Sequence, residues 1–399
     1  MSIENGDISA VLDIVKARAD QGKRIEQSYS ENPVPMAAVA AGNGLNIVEF
    51  GDQLRHAGVG LRTCIGDAQE RDAALAAARE ARGKGAVFDL LTIWTLYRLE
   101  LLEVAKSYFG RLLLPRSAID AMMELRAKNV FHARSEFMTL SYEGDQAYRK
   151  VHSPEDTSAT VETLTRALDT IQVHCEVMPT DGSDDLRINI HHIDEADLVE
   201  LFDPITLARQ QGMVLVSQDL NLRQWALGLG VTSATWLQPV FALAGEVGVA
   251  THDQYACAVA QLSYLRHEHL WLNPEVLIGI LRLEERPAEA LFDAALNELF
   301  FDGADLESHT KVAIAFMANV ATDEVESGRA LRSIGKVLNR MTTGREGWRS
   351  VLCMVERALR GEARRSFAAR TAWRYVRAWA VGHCLGIDFD APEREVAPA

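Results

Sequence analysis

Two short apolar runs in this chain end on an aspartate: AVF before Asp89 and MVLVSQ before Asp219. A third run, GRLLLP, stops at Pro115 and leads into a helical pattern that carries Asp120 and, one turn later, Glu124. Asp203, followed by Pro204, reads as the cap of the helix that leads back to the strand before Asp219. If these runs are neighbouring parallel strands, their carboxyl ends open on one crevice. Asp89, Asp120 or Glu124, Asp203 and Asp219 can then converge. Clustered carboxylates repel and stay ionised together only beside cations. Their hard oxygens suit Mg²⁺ or Mn²⁺. Two such ions, about 3.5–4 Å apart, activate water and stabilise the leaving oxygen of a phosphodiester. The plain alternative for each residue is structural, because an aspartate at a strand end is often a helix N-cap.

The elements that would position these acids follow from pattern. Asp67 to Arg82 is a run of strong helix formers behind a cap, stopped by Gly83 and Gly85. From Ala86 the order is strand, helix, strand, helix: AVFD, then LLTIWTLYRLELLEVAKSYF, GRLLLP and SAIDAMMELRAKN. That alternation implies a parallel sheet with helices packed on it. Ser153 to Thr170 reads as a helix and IQVHCEVMP as a strand, with a polar loop from Thr180 to Asp185. After Asp203, Gly212 ends a helix, MVLVSQD is a strand, Leu222 to Gly228 a helix, and GVTSATW follows. From Pro239 onward the pattern is helical, broken near Asn273-Pro274, Gly303 and Thr343-Gly344. The expected division is a helical region over 1–82, an α/β domain over 83–245 with an insertion at about 129–192, and a helical region over 246–399.

The segment from Ala86 to Leu243 resembles the PIN domain family. VFDLLTIWTLYRLELLEVAKSYFGRLLLPRSAIDAM is similar to its first half, and GMVLVSQDLNLRQWALGLGV to its second. The resemblance implies an α/β/α parallel-sheet fold flanked here by helical regions. It also implies metal-dependent cleavage of single-stranded RNA, as in the many bacterial members that are toxins or RNA-processing enzymes. By position, Asp89 matches the first-strand acid and Asp219 the acid before the last helix. Asp120 matches the acid after the strand–Pro, with Glu124 as a competing alignment, and Asp203 the acid of the preceding helix. Many members carry a fourth acid near Asn221, where this chain has an amide that brings an oxygen but no charge. Ser217 and Arg223 fall where they could contact metal or phosphate; a serine there equally makes a local turn bond. The competing reading keeps the fold without catalysis, as a module for RNA or a protein partner held through the helical arms. In a third reading the α/β segment only supports a helical scaffold.

Charge narrows the choice. The 399 residues carry a formal charge of −15, which disfavours coating nucleic acid with the whole surface. Yet Leu331 to Ala380 holds twelve Lys and Arg against three acids, a local +9 that leaves about −24 elsewhere. On a helical wheel Arg364, Arg370, Arg374 and Arg377 share one side, and Ala369, Ala372, Trp373, Val376 and Trp379 the other. Arg370, Arg374 and Arg377 are therefore candidates for phosphate contact; a solvated helix face is the simpler account. His191-His192 and His267-Glu268-His269 lack the spacing of a helical zinc pair. No Walker loop, dinucleotide fingerprint or serine elbow occurs. No apolar run is long enough to span a bilayer. The five cysteines are scattered and odd in number, so reduced thiols in the cytoplasm are expected.

Overall fold

The computed structural model describes residues 9–143, 146–180, 199–283, 288–300, 306–321, 325–344 and 347–390. They fall into two compact units. The first comprises Met1–Ala250 with His267–His269, so the N-terminal helices belong with the α/β domain. The second comprises Thr251–Arg266 and Leu270–Ala399.

The first unit opens with helices α1 (Ser9–Glu31), α2 (Met36–Ala41), α3 (Ile47–Ala57) and α4 (Ala68–Ala81). Asp67 caps α4 by accepting the Glu70 N–H, and Gly83 and Gly85 turn the chain into the sheet at positive φ. Then come β1 (Ala86–Phe88), α5 (Leu90–Arg98), α6 (Leu102–Phe109), β2 (Leu112–Pro115) and α7 (Arg116–His132). The hairpin strands β3 (Phe137–Glu143) and β4 (Gln146–His152) follow, then α8 (Pro154–His174) and β5 (Glu176–Met178). The unit closes with α9 (Val199–Gln211), β6 (Val214–Val216), α10 (Leu220–Gly228), β7 (Ala234–Thr235) and α11 (Leu237–Glu246). The sheet order is β5-β2-β1-β6-β7, every pairing parallel. β1, β2 and β6 are buried at every residue, as strands covered by helices on both faces must be.

Several elements differ from the pattern reading. The run after Asp89 is two helices, because Glu100 takes a left-handed backbone (φ 58°) and the chain turns there. α8 continues to His174. Ile171 extends its buried stripe of Leu164, Ala167 and Leu168, so the strand keeps only three residues. The β3–β4 hairpin was not foreshadowed, since its alternation is masked by side chains exposed on both faces. Asp203 is not an N-cap: α9 is already helical at Val199, and Pro204 lies inside it. His191-His192, Gly303 and most of the Thr180–Asp185 loop lie outside the described residues.

The second unit is helical: α12 (His252–Tyr264), α13 (Pro274–Arg282), α14 (Ala288–Leu299), α15 (Leu306–Asn319), α16 (Ser327–Thr342), α17 (Trp348–Glu362) and α18 (Phe367–Gly382). Its core joins Ile280, Phe292, Phe316, Leu338, Val355 and Val376 among others. Asn273 caps α13 ahead of Pro274 at the break the sequence marks there.

Candidate functional site

β1 and β6 are adjacent and in register, Phe88 opposite Val216. The residues just beyond them therefore emerge side by side at the carboxyl edge of the sheet. Asp89 caps α5, its Oδ1 accepting the Thr92 N–H at 2.7 Å. Its other oxygen, Oδ2, is buried without a hydrogen bond. Asp219 caps α10, its Oδ1 accepting from Asn221 N (2.9 Å) and Leu222 N (3.3 Å). Its Oδ2 accepts the Met36 N–H at 2.5 Å, from the start of α2. Both aspartates are 2% exposed.

The N-terminal arm is fastened at further points. Asn221 Nδ2 donates to Val34 O (2.9 Å), and the buried Tyr29 hydroxyl accepts the Arg62 N–H (3.1 Å). The acid pair thus lies beneath the chain that joins α1 to α2.

One guanidinium answers the two carboxylates. Arg223, 4% exposed, donates from Nη1 to Ser217 O (2.7 Å). Its Nη2 donates to Thr63 O (2.5 Å) and Glu70 Oε1 (3.2 Å). Its plane lies 4.6 Å from the Trp236 ring centre, a stacking that suits arginine and not lysine. Burial pushes the Asp219 carboxyl up to about 6, with the neighbouring Asp89 charge adding to the rise; the Met36 and Leu222 N–H bonds and Arg223 oppose it. Burial also raises Asp89, against the Ser217 and Thr92 groups and Arg223. Both carboxyls are therefore held above the usual carboxylate range by burial.

Ser217 makes a local bond, its Oγ accepting the Asp219 N–H at 3.1 Å. Gln218, which carries no motif, is a hub: its N–H donates to Thr92 Oγ1 (2.7 Å) and its Oε1 accepts from Leu237 N (3.0 Å). Its amide also meets His267 Nδ1 at 3.2 Å, where the Thr63 hydroxyl stands at 2.8 Å. Burial pushes His267 down to about 3, so the ring is neutral, and its Nε2 is buried without a partner. His267 enters on a three-residue strap flanked by left-handed Arg266 and His269. Glu268 N donates to Leu61 O at 2.9 Å there. No local signal reports such a strap, because its partners are far off in sequence, Gln218 by 49 positions and Thr63 by 204.

The remaining acids stand apart. Asp120 is exposed on α7 and paired with Arg116 at 2.9 Å. Glu124, also exposed, lines an open cavity of about 400 Å³ with Asn46, Glu49 and Lys128. The inward face of α7 is Ala118, Ile119, Ala121, Met122 and Leu125. Asp203 is half-buried within α9. Among the described residues no three His, Cys, Asp or Glu side chains are gathered to hold a metal ion. In the second unit Arg370 and Arg374 are exposed on α18, and Arg377 is bound to Glu356 and Asp390. Arg364 is not on that helix; it lies in the turn before Phe367.

The parallel sheet, its helical layers and the paired strand-end acids define a nuclease-like PIN fold. Residues 87–228 match the model of the PIN domain associated with the TPR-GreAB-C-PIN system, which supports a PIN domain in that stretch. No curated protein and no solved structure matches the chain. PIN domains are generally nucleases that use divalent metals, so the donors here can be compared with what such an ion requires. Mg²⁺ demands near-octahedral oxygen coordination and usually keeps several waters. Here both oxygens of Asp219 are engaged by backbone N–H groups, Arg223 supplies positive charge, and only Asp89 Oδ2 is uncommitted. In this conformation the residues do not fit Mg²⁺ or Mn²⁺.

Proposed function

We propose that this protein is a PIN-fold binding module whose acid pair fastens the N-terminal arm instead of hydrolysing RNA. The observation that supports it is the spending of the Asp219 carboxylate on Asn221, Leu222 and Met36. Titration calorimetry with Mn²⁺, beside a Mg²⁺ and Mn²⁺ cleavage assay on single-stranded RNA, tests it. The expected result is no saturable metal binding and no cleavage. Saturable binding that Asp89→Asn abolishes overturns it.

One observation favours a second reading, a metal-dependent endoribonuclease with the arm as its cover. The unbonded Asp89 Oδ2 beside a second carboxylate is an electrostatic cost that a cation would relieve. In that reading Asp89 and Asp219 are ligands, Asp120 or Glu124 the third acid, Asp203 and Asn221 assist, and Ser217 and Arg223 face the phosphate. Tyr29→Ala removes the arm's buried anchor. Mn²⁺ binding and RNA cleavage that appear in this variant alone support the second reading, and their absence removes it. Five free cysteines fit a reducing cytoplasm. No helix among the described residues is long and apolar enough to cross a membrane.

A further inference from the structure

The basic segment of the second unit is sorted by the structure into two groups. One group is consumed internally. Arg360 (2.8 Å), Arg377 (3.3 Å) and the Trp373 indole N–H (2.7 Å) converge on one oxygen of the buried Glu356. Asp390 takes the same two guanidiniums at 2.8 and 2.7 Å. Arg377 is therefore a staple, although its sequence position marks it equally as a phosphate contact.

The other group faces solvent. Arg370 and Arg374 lie one turn apart on the exposed side of α18, Arg370 with its Nε donating to Ala363 O at 3.1 Å, while Ala369, Ala372 and Val376 fill the core. Arg364 and Arg365 are exposed in the turn just before α18, and Arg365 has only a 3.9 Å contact with Glu362. Between these two pairs stands Phe367, 77% exposed. The only described acid in the stretch from Glu362 to Gly382 is Glu362 itself.

We propose that this face of α18 and its leading turn binds single-stranded nucleic acid, with Arg364, Arg365, Arg370 and Arg374 on phosphates and a base stacked on Phe367. The inference deepens the binding-module reading but uses none of the PIN-domain acids. Four exposed arginines, with Glu362 as the one described acid between residues 362 and 382, form a local positive face in a chain of −15, which is charge complementarity to a polyanion. All four cations of this face are arginine, the side chain that pairs phosphate bidentately and stacks on aromatic faces. An exposed aromatic ring between arginines is the combination that holds an unpaired base and its backbone, and every base offers a π-face. A duplex keeps its bases stacked away from such a ring, and an acidic peptide has no base to offer it.

Fluorescence anisotropy of the full chain with labelled 20-nucleotide oligo(U) and oligo(dT), a 20-base-pair duplex and poly-glutamate as competitor tests the proposal. The single strands are expected to bind and to outlast poly-glutamate. Arg370→Gln with Arg374→Gln should weaken binding about tenfold or more and lower the salt slope by roughly 1.4, since each phosphate contact on a single strand contributes about 0.7. Phe367→Ala should weaken it about tenfold at unchanged salt slope, as loss of one stacked base does. Lys311→Glu, an exposed cation change on α15, should have little effect. A preference between oligo(U) and oligo(dT) then separates RNA from DNA as the source of the strand. No binding, equal binding of the duplex, displacement by poly-glutamate, or an equal loss in Lys311→Glu overturns the proposal. Mn²⁺ calorimetry reads the acid pair separately, so either inference can fail without the other.

Discussion

Each unit of this protein buries carboxylate, and the two do so with opposite charge balance. In the first, Asp89 and Asp219 feel only the through-space charge of Arg223, whose ion pair is with Glu70, and burial drives both acids upward in pKa. In the second, Glu356 alone receives Arg360, Arg377 and the Trp373 indole. An over-matched acid is a staple: it ties α17 to α18 and, through Asp390, to the chain that follows. An under-matched pair stores electrostatic cost, and such cost concentrates at sites shaped for something other than stability. Under the binding-module proposal, the comparison accounts for strand-end acids kept as joints in a nuclease-like fold.

The largest effect should come from removing the one cation on the under-matched side. Arg223→Leu leaves Glu70 and both aspartates without it and strands the Ser217 and Thr63 carbonyls. Breaking a buried pair from one side costs about 3–5 kcal/mol, so urea unfolding should show a large loss or no folded protein. Arg223→Lys should recover only part, because a lysine cannot bridge three acceptors and cover Trp236 at once. On the over-matched side, Glu356→Gln keeps the shape and loses the charge. Hydrogen bonds to charged groups are worth about 1.5–3 kcal/mol, and Asp390 still holds both arginines, so a loss of about 2 kcal/mol is expected in the same assay.

Asp89→Asn should act in the opposite direction. The Asn oxygen can still cap α5, while one of two repelling charges disappears. At pH 7 the variant should be more stable than the wild type, since burial raises the Asp89 carboxyl and makes its charge costly. The sign follows from linkage. Asp219 binds its proton more tightly folded (about 6) than unfolded (3.8), so its contribution to stability is full below about pH 4. It is lost as pH rises through about 6, and the raised Asp89 works in the same sense. The gain in Asp89→Asn should therefore shrink toward zero between pH 6 and pH 4 in thermal unfolding curves. A gain that persists at pH 4 would mean that repulsion is not its source.

What could be read from sequence divides along the same line. Caps are local, one side chain to an N–H two or three residues on, so Asp67, Ser153 and the strand-end positions of Asp89 and Asp219 are legible, whereas Asn273-Pro274 reads only as a break. The parallel order followed from alternation of runs. What decides the chemistry was not local. The Met36 N–H reaches Asp219 across 183 positions, and Thr63 meets His267 across 204. No spacing rule encodes such contacts. Asp203 reads as a cap because Pro204 usually opens a helix, and here the helix is already under way at Val199. The wheel that grouped Arg377 with Arg370 and Arg374 was right in angle but blind to Glu356, whose pull turns one arginine inward.

The finest test of the comparison is Tyr29→Phe. Tyr29 is 1% exposed, its hydroxyl accepts the Arg62 N–H, and burial with the nearby Asp219 charge holds it firmly protonated. Removing that oxygen leaves the ring's packing against Phe50 intact and strips one acceptor, for an expected cost of about 1 kcal/mol. If the arm is part of the joint at the acid pair, hydrogen exchange at the Met36 amide should quicken in this variant while amides of α18 stay unchanged. If the arm only lies over the sheet, the global stability falls slightly and the Met36 amide follows the rest of the first unit. The two outcomes differ in which amides move, not in how much stability is lost, so a variant of small energy can still separate a fastened cover from ordinary packing.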